Sequence, residues 1–199
     1  EPYRPEGPLD LELGTRRARA AALLMLALPG GAYVYQGEEL GLPEVEDLPE
    51  SVLQDPVWER SGHTDRGRDG CRVPIPWSGS KPPYGFSPEG ATAEPWLPQP
   101  GSWAGLGVAE QTGDEGSMLE LYRAALRLRH EHPALGDGGL DWLETPSGVL
   151  AFGRAPGFVC VVNLSAEPYR LPAHTSVLLA SGPLKGGALA PDQAVWLAV

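Results

Sequence analysis

The chain has 199 residues and a formal net charge of −11, with 26 acidic against 15 basic side chains. That balance argues against nucleic acid and anionic membrane surfaces as partners, because both are bound through cationic faces. No apolar run approaches the ~20 residues that a membrane-spanning helix needs.

The opening stretch EPYRPEGPLD lacks the basic start and apolar centre of a signal peptide. It begins without Met in a Pro-containing lead-in, which reads as a piece of something longer. Cys71 and Cys160 lie far apart in unlike contexts. The expectation is a reduced, cytoplasmic protein with two free thiols.

The first regular element expected is a helix over Thr15–Leu28, where Ala and Leu dominate. Arg16, Arg17 and Arg19 fall in its first turns, where the helix dipole does not favour them, so an acidic group outside the helix or solvent must accept them. Pro29, Gly30 and Gly31 then break the helix. Ala32–Gln36 (AYVYQ) is short, aromatic and nearly all apolar, the pattern of a parallel strand buried on both faces. Glu38 and Glu39 follow at its C-terminal end, where βα-type folds place their chemistry. Adjacent residues on a strand point to opposite faces, so these two carboxylates do not form a catalytic pair.

Residues 43–116 show little periodicity and are dense in Pro, Gly, Asp and Trp. A loop this long is expected to be functional, with short helical turns such as Glu50–Glu59. Its aromatics Trp58, Trp77, Tyr84, Phe86, Trp96 and Trp103 supply a small core of its own, leaving one or two at most to stack on sugar rings. Within it, Asp65–Trp77 (DRGRDGCRVPIPW) sets three arginines and two aspartates around glycines. Two readings stand side by side. One is an Asp–Arg network that holds the loop. The other is a guanidinium aimed at a carboxylate or at hydroxyls, for which the planar fork of Arg is suited.

Ser117-Met-Leu-Glu120 fits a capping box, and Leu119, Tyr122 and Leu126 continue at helical spacing. His130 and His132 close this helix as solvated end residues, with no third ligand spaced to make a metal site. Beyond Gly136 come strand-like runs at Leu140–Glu144, Val149–Arg154, Phe158–Leu164, Ser176–Ser181 and Ala194–Val199, separated by turn formers. They predict a small antiparallel sandwich with Cys160 in its core.

YQGEELGLP, GRDGCRVPIPW and SMLELYRAALRLRHEHPAL, in that order, resemble the C-terminal part of glycoside hydrolase family 13, closest to its α-glucosidase and oligo-1,6-glucosidase type. The likeness covers nearly the whole chain. It implies an α/β plus all-β architecture, the last part of a (β/α)8 TIM barrel followed by a small antiparallel β-sandwich. Residues 1–135 would be barrel, with the long loop 43–116, and residues 136–199 the C-terminal domain. The parent activity implied is hydrolysis of terminal α-glucosidic bonds of di- and oligosaccharides with retention. Trehalose synthase, sucrose isomerase and glucosyltransferases share these motifs, and a non-catalytic binding or interaction fragment is the alternative outside enzymes.

The resemblance places no catalytic carboxylate in this chain: neither the family's NHD motif nor its GxRxD segment occurs here. The residues implied in sugar binding are Arg72, reaching the innermost glucose site, with Asp69 and Arg68 shaping its loop and Glu38 nearby. The resemblance also implies that one of Glu38 and Glu39 supports the pocket floor or pairs with an arginine. No cofactor or metal is implied. The partners implied are α-glucoside oligosaccharides and the N-terminal part of the same barrel, or self-association in its place.

Overall fold

The computed structural model describes residues 10–199; the lead-in of residues 1–9 lies outside them. Two compact units are present, one formed by residues up to Tyr33 together with Leu121–Val199, the other by Val34–Glu120.

In the first unit, helix α1 (Leu11–Ala27) begins four residues before the predicted start, because Asp10 caps it by accepting from Leu13 N at 2.9 Å. Its buried face is Ala20, Ala22, Leu23, Leu26 and Ala27. Each arginine of the early turns has an acceptor. Arg16 pairs with Glu12, Arg17 with Asp192, and Arg19 donates to the Ser181 carbonyl.

Seven strands follow: β1 (Asp141–Trp142), β2 (Val149–Arg154), β3 (Phe158–Asn163), β4 (Tyr169–Arg170), β5 (Ser176–Ala180), β6 (Ala188–Leu189) and β7 (Gln193–Ala198). Five make an antiparallel sheet in the order β1-β2-β3-β7-β5, and β4 pairs with β6 in a small ribbon. Phe152, Cys160 and Trp196 are in register and share the face turned to α1, where the Trp196 indole donates to the Leu23 carbonyl at 3.0 Å. Val149, Ala151, Val159, Val161, Val195 and Leu197 make the opposite face and pack with Leu189 and Tyr169 of the ribbon. Central β3 is therefore buried throughout. The four longer predicted runs appear as β2, β3, β5 and β7. The two-residue strands β4 and β6 are too short to give a pattern.

The C-terminal end of α1 is closed by two arginines. Arg154, 2 % exposed, donates to the carbonyls of Ala27, Gly136, Gly138 and Gly139. Arg129, from helix α4 (Met118–Glu131), donates to those of Leu26, Leu28 and Gly30. Positive charge at a helix C-terminus meets its orphan carbonyls. Burial lowers the affinity of Arg154 for its proton, and the neighbouring Arg129 charge adds to the effect. His132 departs from expectation. It is half-buried, caps the following turn through Ala134 N, and meets the Phe158 ring edge-on at 5.6 Å.

In the second unit the long loop carries its own core of Val45, Leu48, Leu53, Trp58, Val73, Tyr84, Leu97 and Trp103. Three of the six aromatics belong to that core, while Trp77, Phe86 and Trp96 are exposed. Short helices α2 (Pro56–Arg60) and α3 (Val108–Gln111) punctuate it. Ser117 caps α4 as predicted, its hydroxyl accepting from Glu120 N at 3.1 Å.

The expected strand Ala32–Gln36 does not form. Among the described residues it pairs with no other strand, and Tyr33 is 90 % exposed. A strand apolar on both faces needs parallel neighbours, and every ladder here is antiparallel and excludes it.

Candidate functional site

The site is built on the turn Arg68–Arg72, whose middle residues Asp69–Cys71 form one 3-10 turn. Gly70 lets this turn approach the neighbouring segment. Val45 N donates to the Gly70 carbonyl at 3.1 Å, and a Cβ at residue 70 would sit 2.6 Å from the Val45 oxygen. The turn thus lies against the Val45 backbone, with Arg68, Gly70 and Cys71 lining a concavity and Arg72 turned to Asp55 and Asp69.

Arg72 is held by two carboxylates. Its Nη1 lies 2.9 Å from Asp55 Oδ2 and 3.6 Å from Asp69 Oδ1, and its side chain is still 41 % exposed. Burial works against the Arg72 charge, but Asp55, the Tyr35 side chain and Asp69 outweigh it and hold the guanidinium above its ordinary pKa. Asp69 is buried, and its Oδ2 accepts from Gln54 N at 2.5 Å and Asp55 N at 2.8 Å. Asp55 is also buried. Its Oδ1 accepts from Val57 N, capping α2, and its Oδ2 accepts from Arg68 N at 3.0 Å as well as from Arg72. The Val57 and Arg68 N–H groups, with the Arg72 charge, hold the Asp55 carboxyl below the usual carboxylate range against the opposing effect of burial.

A concavity of about 250 Å³ opens on this turn, walled by Tyr35, Glu38, Glu44, Arg68, Cys71 and Trp103 among others. Glu38 and Glu39 lie in a short 3-10 turn, Glu38–Leu40, rather than at a strand end. Their carboxylates fold back on it, Glu38 accepting from Tyr35 N at 3.1 Å and Glu39 from Gly37 N at 2.9 Å. The alternation that was to separate them therefore does not operate.

Of the sequence-derived residues, Arg72 and Asp69 stand in one ion-pair network, and Glu38 lines the concavity. Asp55, which closes the network, was not singled out. Its signal is present in Leu53-Gln-Asp-Pro56: an Asp before Pro at the first position of a helix is a strong N-cap pattern. Among the described residues no group of three or more His, Cys, Asp or Glu could hold a metal ion, and no helix is long and apolar enough to cross a membrane.

Residues 10–138 match the alpha-amylase catalytic domain, and the chain belongs to the alpha-amylase family, glycoside hydrolase family 13. A probable alpha-glucosidase of Rhizobium meliloti is 41 % identical over 153 residues, 75 % of this chain and 27 % of that protein. A glucan 1,6-alpha-glucosidase of Streptococcus pneumoniae is 29 % identical over 84 % of this chain and 34 % of its own length. Among solved structures, the alpha-glucosyl transfer enzyme XgtA superposes with a TM-score of 0.74 at 36 % identity, over 92 % of this chain and 35 % of that one. The chain thus spans about a quarter to a third of the relatives it matches. Its architecture is the last part of the family's (β/α)8 barrel followed by the antiparallel C-terminal domain.

Proposed function

We propose that this chain forms one wall of the glucose pocket of an α-glucosidase that cleaves terminal α-glucosidic bonds of di- and oligosaccharides with retention. The observation that carries this is the Arg72 guanidinium, held by two buried carboxylates while 41 % of the side chain stays open. A fork fixed in that way can take two hydroxyls of a terminal glucose and set the ring for attack. Asp69 shapes the loop behind Arg72, and Glu38 contributes to the wall. The pair of carboxylates about 5 Å apart that a retaining enzyme requires comes from the rest of the barrel. Residues 1–135 belong to that barrel and residues 136–199 to its C-terminal domain. The two free thiols, Cys71 and Cys160, fit a reducing, cytoplasmic setting. Glucosyl transfer is the second reading, favoured by the likeness to a glucosyl transfer enzyme.

The test uses the full polypeptide that carries this chain, with p-nitrophenyl α-glucoside as substrate. Arg72→Ala should lower kcat/KM by about 100-fold or more, the scale of a lost positioning contact. Equal release of glucose and p-nitrophenol marks hydrolysis, and a glucose deficit marks transfer. A purified natural product of 21.2 kDa without turnover would replace this reading with that of a non-catalytic module. An unaffected Arg72→Ala enzyme would remove Arg72 from the pocket.

A further inference from the structure

We propose that Asp55 is the positioning residue that aims Arg72 at its ligand. The inference rests on the reading of Arg72 as a sugar contact and goes beyond it by naming what sets the geometry of that contact.

Two carboxylates flank the guanidinium, and they are not equivalent. Asp55 is the nearer, at 2.9 Å against 3.6 Å for Asp69. One oxygen of Asp55, Oδ2, takes both Arg68 N at 3.0 Å and Arg72 Nη1. A single atom therefore ties down the backbone where the turn enters and the side chain where it leaves. Its other oxygen is bound to Val57 N, so the carboxylate cannot swing away with the arginine. Asp69 works one step further back. Its Oδ2 holds Gln54 N and Asp55 N, the backbone that carries the Asp55 side chain. The order of support runs from Asp69 to the Asp55 backbone, and from the Asp55 carboxylate to Arg72. Gly67 completes the seat: a Cβ there would fall 2.6 Å from Asp55 Cβ and Cγ, so the glycine leaves room for the aspartate.

Asp55 takes Nη1 of Arg72 and the Tyr35 side chain is a second partner of the guanidinium, so Asp55 sets one of the two contacts that limit its orientation. Without that anchor the guanidinium samples several rotamers, and the bound sugar loses its registration.

Two variants of the full polypeptide separate positioning from folding. Asp55→Asn keeps the shape and removes the charge. Asp55→Ser keeps a side-chain acceptor for the α2 cap and removes the reach to Arg72. Each should lower kcat/KM for p-nitrophenyl α-glucoside by roughly 10- to 100-fold in the folded fraction. Placed on Arg72→Ala, either should cost less than about threefold more, because the residue it acts through is gone. If Arg72→Ala itself costs nothing, the sugar-contact reading fails, and this inference with it. If Arg72→Ala is damaging but both Asp55 variants stay within threefold of the parent enzyme, only the inference fails. Asp55 losses that multiply in full with Arg72→Ala would assign Asp55 to the fold alone and overturn it as well.

Discussion

Gly70→Ala tests the close approach on which the site is built. The methyl group would lie 2.6 Å from the Val45 carbonyl oxygen and 2.9 Å from Glu44 Cγ. A relaxed C···O contact is about 3.3–3.6 Å, so the two backbones must part by roughly 0.7–1.0 Å. That separation loosens the Val45 N–H bond to the Gly70 carbonyl, a net loss of about 1 kcal/mol. Crowding in a packed region adds about 1–3 kcal/mol. The sum, about 2–4 kcal/mol, corresponds to a fall in melting temperature of roughly 10–30 °C for a cooperative unit of under 100 residues. The assay is thermal unfolding followed by circular dichroism, with Gly14→Ala as its counterpart. Gly14 sits exposed in α1 with nothing within 4 Å of a new Cβ, so alanine there should stabilise by about 0.5–1 kcal/mol. A Gly70→Ala protein that melts within about 2 °C of the parent would show that the Arg68–Arg72 turn yields freely and is no rigid seat for Arg72.

Other consequences follow from single groups. Arg154→Met leaves four carbonyls around the end of α1 without their donor and should cost about 2–4 kcal/mol in denaturant unfolding. Arg154→Lys should recover less than half of that, because one ammonium cannot span the set. Asp55 has a depressed carboxyl pKa, so its contribution is present above the unfolded value near ~3.9 and is lost as pH falls through the folded value. The stability gap between the parent protein and Asp55→Asn should therefore be full at neutral pH and close below about pH 4, and a gap independent of pH would contradict the assignment. Thiol labelling should count one cysteine in the native protein and two in denaturant. Cys71 is partly open, whereas burial shuts Cys160 in the sheet and pushes its thiol far up.

Much of the fold was legible because its signals are local. Ser117 with Glu120 fixes the start of α4, and the runs around Phe158–Asn163 and Gln193–Ala198 carry the dense apolar pattern of central strands. Asp10, which starts α1, and Asp55, which starts α2, carry an equally local signal in their side chains, one that apolar periodicity does not report. The candidate site was legible in composition and illegible in wiring. The segment around Asp69–Arg72 announces an ion-pair network, yet the partner that closes it at 2.9 Å lies 17 residues back, at the N-cap of a helix of five residues. No periodicity connects those positions. Only the fold brings the N-cap of one short helix under the guanidinium of another turn.

The segment Ala32–Gln36 separates what residues need from what they receive. Its pattern states a requirement for burial on two faces, and Tyr33, Val34 and Tyr35 carry it with 90 %, 39 % and 39 % of their surface exposed. Exposed aromatics on a segment that pairs with no strand are poor company for water, and such a surface recruits partners. The carboxylates that follow behave consistently with this. Glu38 and Glu39 turn back to bind Tyr35 N and Gly37 N and so fix how the segment ends, without needing a neighbour to do it. The segment thus has a defined exit, a side chain at its end that touches the Arg72 network through Tyr35, and two open faces. Tyr35 at that end lines the concavity and bonds Arg72 through its side chain, so the exposed segment and the Arg72 network are joined at one residue.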